Sequence, residues 1–363
     1  MSISLQVSAY RIPTEVPEAD GTLSWDSTTL LLVEATSAEV TGLGFTYGPP
    51  AVAGLIRDLL EPVVRDQNPD DIPAAWMAMH RCVRNAGRPG VAGMALSAVD
   101  CALWDLKARL HGQSLSRLLG TARDRIPVYG SGAFTTYSDE QQHRQLSTWV
   151  HDDGIPSVKI KIGESWGTNT GRDLARMAAA RRAIGDDAEL FVDANGGYTR
   201  KQAVRLAHQA ADLRVDWFEE PVSSDDLAGL GVVRDAVACD VAAGEYGYDL
   251  PYFARMAPYV DCLQADVTRC GGISEFLRVA AVAAAHGLQV SGHTAPHQHL
   301  AVAAAVPNLR HLEWFHDHVR IERLLFDGAV AATGGTVAAD PSRPGNGLTL
   351  RRGDAERYRT AVS

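Results

Sequence analysis

Three acidic residues recur at a fixed interval in the middle of the sequence, each at the end of a short apolar stretch. Asp193, Glu219 and Glu245 lie 26 residues apart. The apolar residues before them, such as 190–192, are typical of buried parallel strands. Because one β/α unit of an eight-unit barrel takes about 30 residues, the interval predicts three carboxylates at the same ends of three successive strands. Carboxylate oxygens are hard ligands, so the pattern predicts a divalent cation site and favours magnesium.

Other ionisable side chains stand at the predicted ends of further strands in this region. Lys159 and Lys161 are two residues apart on one strand and would point the same way. Asp266, His293 and Glu313 end three later strands. Each residue alone has an ordinary explanation, such as a solvated lysine, an ion-paired acid or a hydrogen-bonded histidine. Together they share one end of successive strands, where barrel enzymes carry their active sites, and this favours a catalytic centre.

The elements that position these residues form a repeating strand, turn and helix pattern from residue 126 onwards. Helical segments separate most of the strands, as at 171–184 and 201–213. This alternation predicts an α/β fold with a TIM-like (β/α)₈ barrel. Its predicted strands are residues 126–129, 157–162, 190–192, 217–218, 241–243, 262–264, 288–290 and 311–312.

The residues before the barrel show strands followed by helices, which is typical of an α+β domain. A polar loop is predicted at 14–26, between the first two strands, and an apolar stripe over 95–110 predicts a helix. We expect this domain to cap the barrel and the Gly- and Pro-rich C-terminal segment to return to it. The predicted boundaries are 1–124 for the capping domain, 125–325 for the barrel and 326–363 for the C-terminal segment.

Composition and charge exclude several classes of partner. The 363 residues carry 34 basic and 44 acidic side chains, a net charge of −10 with no basic run, which argues against binding to nucleic acid or an anionic membrane. The sequence shows neither a signal peptide nor an apolar run of about 18 residues, so we expect a cytoplasmic protein. Its five cysteines form no CxxC pair, which is typical of reduced, buried thiols.

The motifs around the strand-end residues resemble those of the enolase superfamily, and within it the mandelate racemase subgroup, over essentially the whole chain. One departure is Pro-Gly-Asn-Gly at 344–347, where the subgroup has a tighter Pro-Gly-Leu-Gly turn. The resemblance implies magnesium-dependent removal of the proton α to a carboxylate, which gives an enediolate. The matching segments are residues 95–104, 158–163, 192–195, 218–221, 243–245, 264–266, 271–273, 291–293 and 312–313.

The resemblance also implies a role for each strand-end residue. The three acids of the 26-residue series would hold one magnesium ion per active site. Lys161 would be a base whose pKa Lys159 lowers toward neutrality, and Lys159 would also help to hold the substrate carboxylate. His293 would be the base or acid on the opposite face, and Asp266 would orient its ring. Glu313 would hydrogen-bond the substrate carboxylate in its protonated form.

Substrate choice would come from the residues that cover the barrel mouth, because the strand ends serve proton abstraction. Asp20, Trp25 and Tyr47 are the predicted substrate contacts in the capping domain, and Asn195 is a further one in the barrel. A cover with polar groups and few bulky aliphatic side chains suits a hydroxylated substrate. The predicted partner is therefore a small carboxylate of the sugar-acid class. We also expect the chain to form a homo-oligomer.

The predicted reaction is dehydration of an aldonate or aldarate to a 2-keto-3-deoxy acid, which makes the protein an acid-sugar dehydratase. A racemase, an epimerase or a cycloisomerase would use the same bases, so these reactions stay open. A Schiff-base aldolase would instead use Lys161 as its nucleophile and need no metal. A barrel that binds without catalysis is disfavoured, because no ligand position of the acid series is missing.

Overall fold

The computed structural model describes residues 2–361, which begin with an antiparallel sheet. A long helix, Val91–Leu110, packs across this sheet. Glycines make the close approach possible, since a Cβ atom on Gly44 would lie 2.3 Å from the carbonyl oxygen of Ala98. The strands, in both chain order and pairing order, are β1 (Ser4–Ala19), β2 (Ser24–Ser37) and β3 (Val40–Tyr47).

The polar stretch 14–26 is not the loop that the sequence predicts. β1 continues to Ala19, and its pairing with β2 shifts register between Pro13 and Glu18, so that only residues 20–23 form the turn. The alternating polar residues belong to the outer part of a long hairpin, and many of them remain exposed. Polarity therefore marks exposure here rather than the end of a strand.

Helices complete the capping domain, which is α+β as predicted. The helix predicted from the apolar stripe at 95–110 is confirmed and begins four residues earlier. These helices are α1 (Ala51–Leu55), α2 (Glu61–Val64), α3 (Ile72–Cys82), α4 (Val91–Leu110) and α5 (Leu115–Leu119), with a π-helical turn at Ile56–Leu60.

A closed barrel of parallel strands follows, and it confirms the predicted (β/α)₈ fold. Neighbouring strands pair in chain order, and the last strand closes the barrel by pairing with the first. That last strand is longer than the two residues predicted, 311–312, and runs over seven. The barrel strands are β4 (Ile126–Gly132), β5 (Ser157–Lys161), β6 (Glu189–Asp193), β7 (Val215–Glu219), β8 (Asp240–Ala243), β9 (Cys262–Ala265), β10 (Gln289–Gly292) and β11 (Leu309–Phe315).

Aromatic side chains fill the centre of the barrel. The rings of Tyr129 and His311 have centroids 4.6 Å apart, and Trp217 packs beside them. This layer supports the ionisable strand ends, because the Tyr129 hydroxyl lies 3.4 Å from Lys159 Nζ. The helices around the barrel are α6 (Asp139–Ser147), α7 (Glu164–Gly167), α8 (Thr170–Ile184), α9 (Arg200–Gln209), α10 (Leu227–Arg234), α11 (Leu250–Met256), α12 (Gly272–Ala285), α13 (Pro296–Ala305) and α14 (His316–Leu325).

The C-terminal residues contact both parts of the molecule. They contain β12 (Phe326–Asp327), β13 (Thr336–Val337), β14 (Thr349–Leu350), α15 (Arg352–Glu356) and β15 (Arg359–Thr360). β12 pairs with β14, β13 pairs with β4 of the barrel, and β15 pairs with β1 of the capping sheet. Across residues 2–361, no helix combines the length and the apolar character needed to cross a membrane.

A buried carboxylate on α4 joins this segment to the capping domain. Asp105 accepts hydrogen bonds from the backbone N–H of Leu43 at 2.6 Å and of Asn346 at 2.5 Å. Arg109 donates to the same carboxylate at 2.7 Å. Asn346 belongs to the Pro-Gly-Asn-Gly segment at 344–347. This segment differs from the turn of the subgroup that the chain resembles, but its backbone is still hydrogen-bonded to Asp105 on α4.

Removing this carboxylate should loosen the junction. We expect Asp105→Ala to lower the free energy of unfolding by about 2–4 kcal/mol, because it leaves two backbone N–H groups and Arg109 Nε without an acceptor. Asp235→Ala is the control, since Asp235 is largely exposed and its pair with Arg234 should contribute less than about 1 kcal/mol. Urea unfolding measures both. Equal losses of unfolding free energy in the two variants would show that Asp105 does not stabilise the junction.

Candidate active site

The three acids of the 26-residue series meet at the C-terminal end of the barrel. Asp193 ends β6, Glu219 ends β7 and Glu245 follows β8. One carboxylate oxygen from each lies within 4.8 Å of the others, and all three side chains are buried. Gly244 has a φ of 137° and no room for a Cβ atom, which lets the chain turn and bring Glu245 to the cluster.

This donor set fits magnesium. All three groups are carboxylates, the hard oxygen ligands that magnesium prefers. Glu245 Oε2 is buried and accepts no hydrogen bond, although His293 Nε2 lies 3.2 Å away in an ion-pair contact. Glu219 is oriented from behind, since Trp217 Nε1 donates to its Oε2 at 2.8 Å and Gln264 Nε2 donates at 3.1 Å. The residues present can therefore hold the ion without rearranging the barrel.

Lys159 lies beneath the cluster rather than in the open site. Its side chain is fully buried and contacts three carboxylates: Glu219, Glu313 at 2.8 Å and Asp193 at 3.6 Å. It does not line the cavity above. The structure therefore does not place it where it could help to hold a substrate carboxylate, because its ammonium group is already surrounded by acids.

Lys161 reaches the cavity from the neighbouring position on the same face of β5. Its Nζ lies 2.5 Å from Asp193 Oδ2. Burial alone would lower the pKa of Lys161, but the charges of Asp193, Glu245 and Glu313 together outweigh it and raise that pKa above its ordinary value. Lys159 lowers the pKa of Lys161 as predicted, but by less than Asp193 raises it, so the charges of the protein alone raise this pKa instead of lowering it.

His293 is held between two acids. Its Nδ1 lies 2.9 Å from Asp266 Oδ2, the residue predicted to orient the ring, and its Nε2 faces Glu245. Burial would lower the pKa of His293, but Glu245 and Glu313, with the hydrogen bond to Asp266, raise it to about 10. The ring thus has one fixed nitrogen and one directed at the acid cluster.

The surroundings of Glu313 favour its carboxylate form over the neutral acid that the resemblance implies. Ser131 Oγ donates to it at 2.6 Å and the backbone N–H of Thr294 at 2.9 Å. Burial would raise the pKa of Glu313, but the charges of Lys159 and His293 outweigh it and hold that pKa well below its usual range. The sequence could not show that Lys159 would pair with the end of β11.

A cavity of about 410 Å³ lies above these groups, and the capping domain covers it. Its cover, which we call the lid, consists of residues 20–29 and 47–49. The lid contains three predicted substrate contacts, and the fourth, Asn195, lies on the barrel side with its amide oxygen buried and without a hydrogen bond. Tyr47 is the most enclosed of the four, because its ring stacks on His318 with centroids 3.5 Å apart.

Asp20 has a structural task as well. Its Oδ1 accepts hydrogen bonds from the backbone N–H groups of Thr22 at 2.6 Å and Leu23 at 2.8 Å, which fixes the turn between β1 and β2. Its Oδ2 makes no hydrogen bond within the described residues. Asp20 therefore shapes the lid and can offer the cavity only one acceptor oxygen.

Two residues that line this cavity, and one beside it, are missing from the predicted set. Arg269 lines the cavity with its guanidinium 3.4 Å from Asp266, a pair made within the turn that follows β9. His318 also lines the cavity, and its Nδ1 accepts from the backbone N–H of Ala295 at 3.2 Å. Glu220 is buried with a φ of 38° and lines a neighbouring cavity of about 490 Å³.

Comparison with known proteins agrees with this geometry. Residues 3–120 match the family model of the mandelate racemase / muconate lactonizing enzyme N-terminal domain, and residues 141–355 match the enolase C-terminal domain-like model. L-talarate/galactarate dehydratase of Salmonella typhimurium is 30% identical over 79% of this chain and 73% of its own length. D-galactarolactone cycloisomerase of Agrobacterium fabrum is 33% identical over 77% of this chain and 74% of its own.

Solved structures extend the similarity to the whole chain. A mandelate racemase/muconate lactonizing enzyme-like protein from Rubrobacter xylanophilus is 48% identical, with a TM-score of 0.96 and 99% of both chains covered. A racemase from Streptomyces coelicolor A3(2) with bound magnesium is 29% identical, with a TM-score of 0.92, 99% of this chain and 100% of its own covered. The magnesium in such a relative and the three buried acids here confirm magnesium as the cofactor.

The acid cluster gives a direct test of the ion site. We expect Glu219→Gln to weaken magnesium binding by about 100-fold or more, because an amide has the shape of the carboxylate but not its charge. Isothermal titration calorimetry measures the affinity, and circular dichroism checks that the fold is kept.

Glu220→Gln is the matched control, since it makes the same change one residue further along. The Glu220 side chain lies outside the cluster of three ligands and lines the neighbouring cavity. We expect this variant to bind magnesium nearly as the unaltered chain does. Wild-type affinity in Glu219→Gln would overturn the ligand assignment.

Proposed function

Because the chain belongs to the mandelate racemase/muconate lactonizing enzyme family of the enolase superfamily, we propose that it is a magnesium-dependent acid-sugar dehydratase. It removes the proton α to the carboxylate of a sugar acid and expels the β-hydroxyl group as water, which yields a 2-keto-3-deoxy acid. Membership of this family shows that the chain is an enzyme, and the geometry of the site supports dehydration as its reaction.

The observation that carries this proposal is the placement of two proton-transfer groups at either end of the acid cluster. Lys161 stands beside Asp193, and His293 stands beside Glu245, on strands that do not pair with each other. A substrate carboxylate held at the cluster would present its α-carbon between them. Each group then reaches one face of that carbon.

The three acids would hold magnesium, which would supply the positive charge that stabilises a substrate carboxylate when its α-proton is removed and would offset the charge of Asp193, which raises the pKa of Lys161. Lys161 takes up the α-proton in its neutral form. Lys159 keeps the carboxylates above it close together through its three contacts.

His293 supplies the second proton transfer. Its Nε2 side is directed toward the cavity, and Asp266 on Nδ1 stabilises the protonated ring, as an acid partner does in other histidine sites. A protonated His293 can donate to the departing β-hydroxyl group, which completes the elimination. Arg269 pairs with Asp266, and Glu313 accepts a hydrogen bond from the backbone N–H of Thr294. These two contacts fix the position of the His293 ring.

Isotope exchange should distinguish the proton-transfer roles of Lys161 and His293. In deuterated water with magnesium, Lys161→Ala should still exchange the α-proton of substrates whose hydrogen faces His293, and His293→Asn should show the reverse pattern. Each variant should lose about 10²–10⁴-fold in exchange on its own face. Proton NMR follows the exchange.

Formation of 2-keto acid separates dehydration from isomerisation. His293→Asn should stop 2-keto acid formation even where Lys161 still exchanges the proton, because no acid then meets the leaving hydroxyl. Keto acid formed by this variant at the wild-type rate would assign the acid elsewhere. Exchange and inversion in the unaltered enzyme, without any keto acid, would favour a racemase, and ring closure would favour a cycloisomerase.

A further inference from the structure

Three hydrogen-bond donors of the lid are committed to acids behind it. Trp25 Nε1 donates to Glu18 Oε2 at 2.9 Å, and the hydroxyl of Thr28 donates to Asp317. Both acids are buried, with exposed fractions of 1% and 0%. Burial, with Asp317 alongside, raises the pKa of Glu18 to about 8, but the indole N–H has its acceptor in either form.

The third lid donor follows the same pattern. The hydroxyl of Tyr47 donates to Glu322 at 3.0 Å, and Glu322 is fully buried beside His297. What Trp25, Thr28 and Tyr47 leave for the cavity is therefore an aromatic surface and the lone pairs of oxygen atoms. The hydroxyl of Thr29, which also lines the cavity, makes no hydrogen bond within the described residues and can donate or accept. With Oδ2 of Asp20, the other three residues present acceptors, so this part of the lid fits a ligand that donates.

Positive charge in the cavity comes from the barrel alone. Among the described residues that line the cavity, the cationic side chains are Lys161, Arg269 and His293. Each is already paired with a carboxylate of the barrel, and Arg269 lies 3.4 Å from Asp266 and 3.7 Å from Glu245. The lining residues of the lid include neither lysine nor arginine.

Two cations just outside the cavity are also paired. Arg11 lies 3.6 Å from Asp26 and donates to Ser27 at 2.8 Å, on the exposed side of the hairpin. Arg320 lies 2.5 Å from Asp317. The adjoining cavity has one exposed cation, Arg255, at its edge, and its lining also includes three acids. An anionic group remote from the reacting carbon would therefore meet an available cation only at the solvent edge of the adjoining cavity, beside those acids.

We propose that the end of the substrate remote from the reacting carbon is an uncharged, hydroxylated chain, so that the enzyme prefers aldonates, which carry one carboxylate, to aldarates, which carry two. This inference rests on the proposed function and deepens it. A hydroxyl group can donate to the acceptors of the lid, whereas an ionised carboxylate can only accept. A second carboxylate would be desolvated beside Asp20 without a paired cation in the lid, and juxtaposed like charges weaken binding.

Matched pairs of substrates test the preference. Each pair shares its configuration and differs only at the last carbon, which is CH₂OH in the aldonate and a carboxylate in the aldarate. With the magnesium-loaded full chain, we expect kcat/KM to favour the aldonate of the best pair by about 100-fold or more. An equal or higher value for the aldarate would overturn the inference while leaving the proposed function in place.

Binding measurements test the preference even if the protein turns over no substrate of the panel. If no member of the panel shows α-proton exchange, the proposed function fails, and the preference is then measured as dissociation constants by calorimetry of the magnesium-loaded chain. Tighter binding of aldonates supports the acceptor-lined lid even in that case. Tighter binding of aldarates contradicts it.

A charge added to the lid should shift the preference. Leu23 lines the cavity with its side chain 65% exposed, so Leu23→Arg places a cation there without removing any of the donor contacts. We expect it to raise kcat/KM for the aldarate relative to the aldonate by about 3–10-fold. Leu23→Gln is the control, since it adds polarity without charge. The same ratio in both variants would count against the proposal.

Discussion

The burial of several carboxylates at one end of the barrel is the constraint on which the rest of the structure depends. Asp193, Glu219, Glu245 and Glu313 are each at most 3% exposed, and an isolated carboxylate at such depth would be strongly unfavourable. Lys159 offsets three of them from below. Neither the lysine nor the acids could be buried without the other, so the ionic layer and the aromatic layer beneath it form one unit.

This ionic layer also explains why chemistry and selection occupy different parts of the chain. The strand ends are fixed by their mutual charges, since changing any one of them leaves a buried partner unbalanced. The hydrogen bonds of Trp25, Thr28 and Tyr47 in the lid do not involve the carboxylates of the magnesium site. Two of them instead connect the lid to Asp317 and Glu322 on α14, which hold Thr28 and Tyr47 in place from outside the barrel. Lid residues can therefore change while the proton-transfer groups stay where they are.

The sequence was sufficient for the barrel and for the acids at its strand ends, because a repeat of about 26–30 residues determines which strand ends meet. It was not sufficient where a residue depends on a distant partner. The ionised state of Glu313 depends on Lys159, which comes from another strand. The length of the first hairpin was mispredicted because many polar residues of its outer part stay exposed, as they would in a loop, although they belong to paired strands. Arg269 was overlooked because its charge is used by Asp266, a contact that only the folded turn reveals.

The two ends of the described chain meet in the capping sheet, where Ala9 and Tyr10 of β1 pair with Thr360 and Arg359 of β15. The anchors of the lid on α14 lie 289 and 275 residues further along the chain than Thr28 and Tyr47. During synthesis the lid hairpin therefore precedes the groups that hold it, and the outer edge of β1 stays unpaired until β15 has been made. A change in β15 would reach the substrate pocket through the sheet rather than through the barrel.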